Sequence, residues 1–403
     1  MNRSPARPLP MALGHLGLIL TLCLAAGCGG SPREQQKSAQ ETSSGTGAPA
    51  GEQAATGGAG ERLPFKIGLM TSTVSQGEDE YRGAERMIRR YGDRIRLVTY
   101  PDNFMTEQET MIAQVLNLAA DPEVKAIIIA QGVPGSMAAI KKVKESRPDM
   151  LFILDNPHED PQQVAGYADL SLIPNELKRA DTIVDLAAKM GAATFVHYSF
   201  PRHMSQELLA RRKDLMEQRA KSHGMRFIFV NAPDPTGDQG LPGAQKFILE
   251  DVPRQISQHG KDTAFFSTNC GMQEPLIRAV LDNGAIFPEQ CCPSPTHGYP
   301  GALGIAITAE QAGDMGLIRQ AIQEKVVAKG EQGRMATWPV SIGMVTIEAA
   351  TELAIKALRQ EIRLNDPAAV RGEFEKAAGV SVDMVPLEGR DNYYLVLLES
   401  YIF

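Results

Sequence analysis

One stretch of the chain decides the fold class, 121-DPEVKAIIIAQGVPGS-136. Residues 124–130 are almost continuously apolar and β-branched, which is typical of a strand buried on both faces of a parallel sheet. The apolar run stops at Gln131 and Gly132, and a helical pattern begins at Met137. Since ligands of open α/β sheets bind beyond the carboxyl ends of the strands, the polar end of this strand is a candidate ligand-binding position.

A second stretch repeats this design, 261-KDTAFFSTNCGMQEP-275. It contains an apolar strand, a polar tip at residues 267–269 and the beginning of a helix. Two such units, far apart in the chain, predict two α/β lobes. Their polar tips would face a cleft that closes on a small molecule.

Apolar strands alternate with helical patterns along most of the chain from Phe65 onwards, which predicts right-handed βαβ units with parallel sheets. The predicted strands are 65–70, 95–100, 124–130, 151–154, 164–171, 194–198, 227–230, 263–267, 285–287, 302–307 and 393–401. We expect residues 63–173 and 336–363 to form an N-terminal lobe. Residues 174–335 and 364–403 would form a C-terminal lobe, with crossings near Gly191 and Trp338.

The order of these elements, together with the stretch 262-DTAFFSTNCGMQEPLIRAVLDNG-284, resembles the type I periplasmic binding proteins, the fold of sugar-binding and LacI-like families. The resemblance implies an α/β fold of two Rossmann-like lobes with parallel sheets, joined by a hinge. Asn269 matches the Asn of the family's strand, Asn-Asp and helix motif. Cys270 stands where the family usually carries the Asp that often holds sugar hydroxyls, and residues 71–73 lack the Asp-rich tip of nucleoside-binding relatives. The chain looks closer to an uncharacterised group of substrate-binding-like lipoproteins.

The N-terminus reads as a targeting segment. Arg3 and Arg7 precede an apolar run over residues 11–26, which is too short to span a bilayer. The run ends before Cys28 in small residues that resemble a lipoprotein processing site, so we expect residues 1–27 to be a signal peptide and Cys28 to carry lipid. Secretory cleavage beside an incidental cysteine is the alternative. The protein would then be anchored in the cell envelope, on the outer face of the cytoplasmic membrane or the periplasmic side of the outer membrane.

Residues 28–62 contain Gly, Ser, Ala, Thr, Gln and Glu with almost no large apolar side chain. Such a composition cannot bury enough surface to fold. It predicts a disordered tether with an average reach of roughly 30 Å.

Composition supports a globular protein of two ordinary domains, with 403 residues, 43% apolar and 22% charged. The net charge of −7 argues against a nucleic-acid partner, since that binding depends on Lys and Arg neutralising phosphates. We expect a monomer whose only membrane contact is the lipid.

Candidate ligand-binding residues share a position at a strand end or beside a predicted crossing. They are Ser72, Thr73, Asp102, Asn103, Gln131, Asp155, Asn156, Tyr167, Asp169, Tyr198, Arg202, Asn231, Asn269 and Trp338. Most would hydrogen-bond a polar solute. Arg202 would clamp a carboxylate or phosphate, and Tyr198 or Trp338 would stack on a ring. Turn formation, helix capping and core packing are the alternatives for these residues.

Three cysteines remain after the signal peptide and Cys28, namely Cys270, Cys291 and Cys292. Because Cys270 and Cys291 follow neighbouring strand-like segments of one lobe, we expect a disulfide between Cys270 and one of the other two. The adjacent pair could instead bind a metal, but no second Cys or His pair stands at zinc spacing. No metal and no cofactor is expected.

Three functions stay open from the sequence. The first is a lipid-anchored solute-binding protein that delivers a small polar molecule to an ABC permease, which the family resemblance favours. The second is a lipoprotein that reports a ligand to a sensor kinase or chemoreceptor. The third is a cleft enzyme with Asp102, Asp155 and Asp169 as acids, although the chain has neither a Gly-x-Ser-x-Gly nor a phosphate-loop motif.

Overall fold

The computed structural model describes residues 63–308 and 311–403. The strands are β1 Lys66–Thr71, β2 Ile95–Thr99, β3 Val124–Ile129, β4 Leu151–Asp155, β5 Leu170–Pro174, β6 Thr194–Ser199, β7 Arg226–Asn231, β8 Thr263–Ser267, β9 Ala336–Thr337, β10 Asp383–Pro386, β11 Tyr393–Leu397 and β12 Tyr401–Ile402. The helices are α1 Val74–Tyr91, α2 Gln108–Ala120, α3 Ser136–Ser146, α4 Pro161–Tyr167, α5 Glu176–Lys189, α6 Pro201–Met204, α7 Glu207–Ser222, α8 Gly240–His259, α9 Gln273–Asp282, α10 Tyr299–Leu303, α11 Met315–Ala328, α12 Ile342–Leu358 and α13 Pro367–Ala378. The expected signal peptide, lipid site and tether lie outside the described residues.

The first lobe contains a seven-stranded sheet in the order β10-β11-β5-β4-β3-β1-β2. All neighbours are parallel except β10, which runs antiparallel to β11. In β3, Ala126 and Ile128 face a core completed by α1, α12 and α13, while Ile127 and Ile129 face a core completed by α2, α3 and α4. Helices therefore cover both faces of the sheet, which explains why the sequence of β3 is apolar without alternation.

The second lobe is built around parallel strands in the order β7-β6-β8. Bridges from Ala264 to Ile286 and from Phe287 to Met335 extend this sheet towards the β9–β12 pair. Helices α5 and α7 pack on one face, and α8, α9 and α11 on the other. The structure confirms the predicted fold class of two Rossmann-like α/β lobes.

The expected lobe assignment is wrong for the C-terminal region. Strand β11 pairs with β5 of the first sheet, and Phe374 of α13 lies in the first-lobe core. The chain passes between the lobes near residues 174–176, 338–341 and 398–400. The expected crossing near Gly191 is also wrong, because α5 already packs in the second lobe.

Two predicted strands, 164–171 and 302–307, are helical in part. Residues 161–167 form α4, because Pro161 suits a first helical turn and the Asp160 carboxylate accepts from two backbone N–H groups there. Residues 299–303 form α10, with Pro300 in its first turn. Within the described residues, no helix combines the length and apolar character needed to cross a membrane.

Candidate functional site

The two lobes enclose a cavity of about 190 Å³ at the carboxyl ends of their parallel strands. Tyr100 follows β2, and His158 follows β4, so both reach the cavity from the first lobe. His203 of α6 and Thr268, just after β8, reach it from the second lobe. This is the position at which open α/β sheets bind ligands.

Three buried polar atoms of residues that line this cavity make no hydrogen bond within the protein: the Tyr100 hydroxyl, His158 Nδ1 and Arg212 Nε. The Ser72 hydroxyl is close to Tyr100, but without the geometry of a hydrogen bond. A buried polar group without a partner costs about 1–3 kcal/mol. Three such groups at one cavity indicate that their partners come from a bound molecule or from water.

The cavity histidines are held neutral. Burial lowers the pKa of His158 to about 3, and the nearby positive charge of Arg202 acts in the same direction. Burial also lowers the pKa of His203, whose Nδ1 lies 3.0 Å from the Thr268 hydroxyl. The two rings meet edge to face across the lobes, with centroids 6.3 Å apart. A neutral imidazole has one donor and one acceptor nitrogen. His203 already uses Nδ1 with Thr268, so only its other nitrogen is available to a solute.

Backbone strain accompanies two cavity residues. Gln131 and Asn156, at the ends of β3 and β4, have φ values of 53° and 44°. Left-handed backbone is uncommon for residues other than glycine, and such strain concentrates at functional sites. The turns at the two strand ends therefore hold these amides at the cavity wall.

A buried ionic network connects the crossings beside the cavity. Arg179 donates to Glu289 Oε1 at 2.8 Å, to Glu176 Oε1 at 2.9 Å and to the Gln290 carbonyl at 2.7 Å. Arg212 bonds the other oxygen of Glu176. The two arginines and two glutamates are each at most 4% exposed, so two positive charges offset two negative ones away from water.

This network reaches the remaining crossings. The Arg179 guanidinium lies 5.6 Å from the centroid of Trp338, and the Ser400 hydroxyl donates to Glu289 Oε2 at 3.3 Å. All three crossings between the lobes therefore contact a single set of charges.

A cluster of sulfur atoms separates the main cavity from a second one of about 150 Å³. Cys270 Sγ lies 3.2 Å from Cys291 Sγ and 3.3 Å from Cys292 Sγ. Cys270 and Cys292 line both cavities, and His297 lines the second. The proximity predicted from sequence is confirmed. The sulfurs are free thiols, since a disulfide bond requires about 2.05 Å.

Comparison with known proteins assigns the chain to a family. The model of a protein family of unknown function, DUF3798, matches residues 65–336. The chain belongs to this family. The residues that line the main cavity all fall within the matched range.

Relatives of this DUF3798 protein extend the comparison. An uncharacterised protein of Treponema pallidum is 31% identical over 221 residues, which are 55% of this chain and 100% of the relative. A crystal structure of a putative transcriptional regulator from Clostridium difficile 630 is similar with a TM-score of 0.69 and 27% identity, over 84% of this chain and 99% of that one.

A more distant structure carries the fold assignment. The substrate-binding protein of a sugar ABC transport system from Bordetella parapertussis is similar with a TM-score of 0.51 and 12% identity, over 85% of this chain and 90% of that one. This likeness concerns the fold alone. It agrees with the predicted type I periplasmic binding protein fold.

Four of the predicted site residues of this DUF3798 protein line the main cavity, namely Gln131, Asn156, Arg202 and Asn269. The predicted anion clamp, Arg202, instead holds Asp234 through two hydrogen bonds of 2.8 and 3.0 Å. Asn269 caps the following turn by accepting from the Gly271 N–H at 2.9 Å. Arg202 therefore contributes an orienting contact rather than a free charge.

A second group lies beside the cavity without lining it. The Asp102 carboxylate accepts from the Thr73 and Ser75 hydroxyls, and the Ser72 hydroxyl donates to the Gly77 carbonyl. Asp155 is buried, and its burial next to Glu80 and Cys292 raises the pKa of its carboxyl. Asn103 is exposed and forms a turn through its carbonyl.

A third group is placed away from the cleft. Tyr167 is exposed, and the Asp169 carboxylate accepts from Lys144 and from the Phe152 N–H. Tyr167 and Asp169 both lie near the amino ends of β4 and β5, opposite the cleft. Their assignment failed because residues 161–167 are helical and β5 begins only at Leu170. Tyr198 and Trp338 are fully buried in the cores, and Asn231 is exposed at the end of β7.

The residues with unpartnered groups are not among the predicted site residues. Tyr100 and His158 stand at predicted strand ends, so position alone could have identified them. Arg212 lies within α7, where no sequence pattern separates it from the surface arginines of the same helix. Cys270, Cys291 and His297 come from two loops, and no metal-type spacing connects them.

Proposed function

We propose that this chain is an extracytoplasmic solute-binding protein that captures a small polar molecule between its lobes and does no chemistry on it. The observation that carries the proposal is the interlobe cavity with three buried, unpartnered polar groups. A binding site of this kind combines an apolar wall with a few convergent polar groups. Here Phe104 supplies an apolar wall next to two of those groups, since its ring packs against Tyr100 and His158.

The polar groups restrict the solute. Arg212 Nε is a donor, and burial raises the pKa of Tyr100 so that its hydroxyl stays protonated and can donate. Both cavity arginines already face carboxylates, Arg212 with Glu176 and Arg202 with Asp234. A full negative charge is therefore not required, and a neutral or weakly anionic molecule rich in oxygen acceptors fits best.

Delivery to an ABC permease is the preferred role for this binding, with lipid on Cys28 keeping the protein at the membrane. Reporting to a sensor kinase or chemoreceptor is the alternative. The fold shared with the sugar transport protein supports the first role.

Metabolic palmitate labelling of the wild type and a Cys28→Ala variant tests the anchor, and membrane retention of the unlabelled variant would contradict it. Co-purification with a permease rather than a sensor separates the two roles.

The binding role is tested by denaturing the purified protein and identifying released small molecules by mass spectrometry. A solute added back at 100 times its dissociation constant should stabilise the fold by about 2.7 kcal/mol. Recovery of the same molecule unchanged after long incubation supports binding. Conversion to a new species would replace this proposal with the enzyme hypothesis.

A further inference from the structure

The thiols of Cys270 and Cys291 and the imidazole of His297 form a group whose ligand atoms all lie within 4.8 Å of one another. Cys270 follows β8, whereas Cys291 and His297 lie in the loop between Phe287 and α10. Two sulfurs and one imidazole nitrogen at such separations need only small side-chain movements to surround one ion, since zinc binds sulfur at about 2.3 Å and nitrogen at about 2.0–2.1 Å.

The hydrogen bonds of His297 fix which nitrogen can bind. Nδ1 lies 2.8 Å from the Cys292 carbonyl, which can only accept, so Nδ1 carries the proton. In the neutral ring, Nε2 then holds a lone pair. It lies 3.3 Å from the Cys270 carbonyl, another acceptor, and two acceptors at that distance repel each other. An Nδ1–H bond to a backbone carbonyl is the usual second-shell support of a metal-bound histidine.

From this arrangement we propose that Cys270, Cys291 and His297 bind a thiophilic d¹⁰ cation, zinc(II) above all, in the wall between the two cavities. Sulfur and imidazole ligands favour zinc or copper(I) over the oxygen-preferring ions calcium and magnesium. Cys270 and Cys291 line the main cavity too, but the site uses none of the proposed solute contacts Tyr100, His158 and Arg212. Zinc binding can therefore be tested without the solute.

The charge of such a site can balance within itself. A divalent ion bound by two thiolates would be neutral as a unit. Cys270 lines both cavities, so a fourth ligand could reach such an ion from either of them. Three protein ligands and one open position is the arrangement of zinc sites that accept an outside ligand.

Zinc binding to the purified full-length chain, reduced and stripped with a chelator, tests the proposal. We expect one equivalent of zinc per chain, and cobalt(II) in its place should give thiolate-to-cobalt charge-transfer absorption. Cys270→Ser, Cys291→Ser and His297→Gln should each weaken zinc binding more than about 100-fold, because loss of a second-shell partner alone costs about 10–100-fold. Cys292→Ser should retain the full equivalent, and the distant His259→Gln is the matched control.

Thermal melting without metal checks that each variant is folded, and His297→Gln provides the test should a cysteine variant fail to fold. The proposal is overturned if the wild type binds no zinc under reducing conditions, or if Cys270→Ser and His297→Gln bind it as tightly as His259→Gln does. If Cys292→Ser weakens zinc binding as much as Cys270→Ser does, the assignment of three ligands is overturned.

Discussion

Arg179 is the residue on which the connection between the lobes depends most. It is fully buried and bonds carboxylates of Glu176 and Glu289 together with one backbone carbonyl. Arg179→Ala leaves Glu289 without its positive partner and weakens the neutralisation of Glu176. Removing one member of a buried ion pair costs about 3–5 kcal/mol, so we expect a loss of that size in the free energy of unfolding.

Urea unfolding measures this loss, followed by circular dichroism and by the fluorescence of Trp338, the only tryptophan of the chain. Because Trp338 touches Arg179, its emission should change at lower urea in the variant than in the wild type. Arg211→Ala is the matched control, since its pair with Glu207 is more than half exposed and is worth at most about 0.5 kcal/mol.

A loss below about 1 kcal/mol for Arg179→Ala would refute the reasoning, because it would mean that the unpaired carboxylates are solvated or protonated at little cost. Arg179→Met combined with Glu289→Gln removes both charges of one pair. It should recover part of the lost stability, since an uncharged buried pair avoids the desolvation of a lone carboxylate.

Two further predictions concern other buried groups. His197 lies among Phe227, Phe229 and Phe266 without a hydrogen bond at either nitrogen, and burial lowers its pKa from 6.5 to about 3. As the pH falls, His197 is therefore protonated in the unfolded chain near pH 6.5 but in the folded protein only near pH 3. The free energy of unfolding should decrease between these two pH values. His197→Phe should reduce this loss by about 1.4 kcal/mol per pH unit; identical pH profiles of the two proteins in urea titrations would contradict the assignment. Mild oxidation of the metal-free protein should join Cys270 to Cys291 or Cys292, because both sulfurs are within 3.3 Å; peptide mapping that finds only a Cys291–Cys292 bridge would show that the loops are arranged differently.

The sequence was informative wherever local pattern and burial agree. The apolar run over residues 124–130 predicted the central strand of the first lobe because both faces of that strand are covered by helices. The same logic placed Gln131 and Asn156 at the cavity. It failed for residues 164–167 of the predicted strand 164–171, where the cap at Asp160 and the proline after it outweigh the β-branched and aromatic residues.

Long-range contacts account for the remaining errors. The pairing of β11 with β5 joins residues more than 200 positions apart, and nothing local distinguishes β11 from a strand of the second lobe. The same holds for the contact of Arg179 with Glu289 and for the meeting of Cys270 with Cys291 and His297. Each of these depends on how two distant loops are brought together by the sheets.

Binding of the released solute to the wild type and to a Tyr100→Phe variant tests the central claim most directly, because this change removes a single buried oxygen from the cavity. Isothermal titration should show weaker binding by about 2- to 10-fold, the equivalent of about 0.5–1.5 kcal/mol for one hydrogen bond. Tyr167→Phe, on the exposed edge opposite the cleft, should bind as the wild type does. Equal affinity of the wild type and Tyr100→Phe, with a loss in Tyr167→Phe, would place the solute outside the cavity and contradict the account.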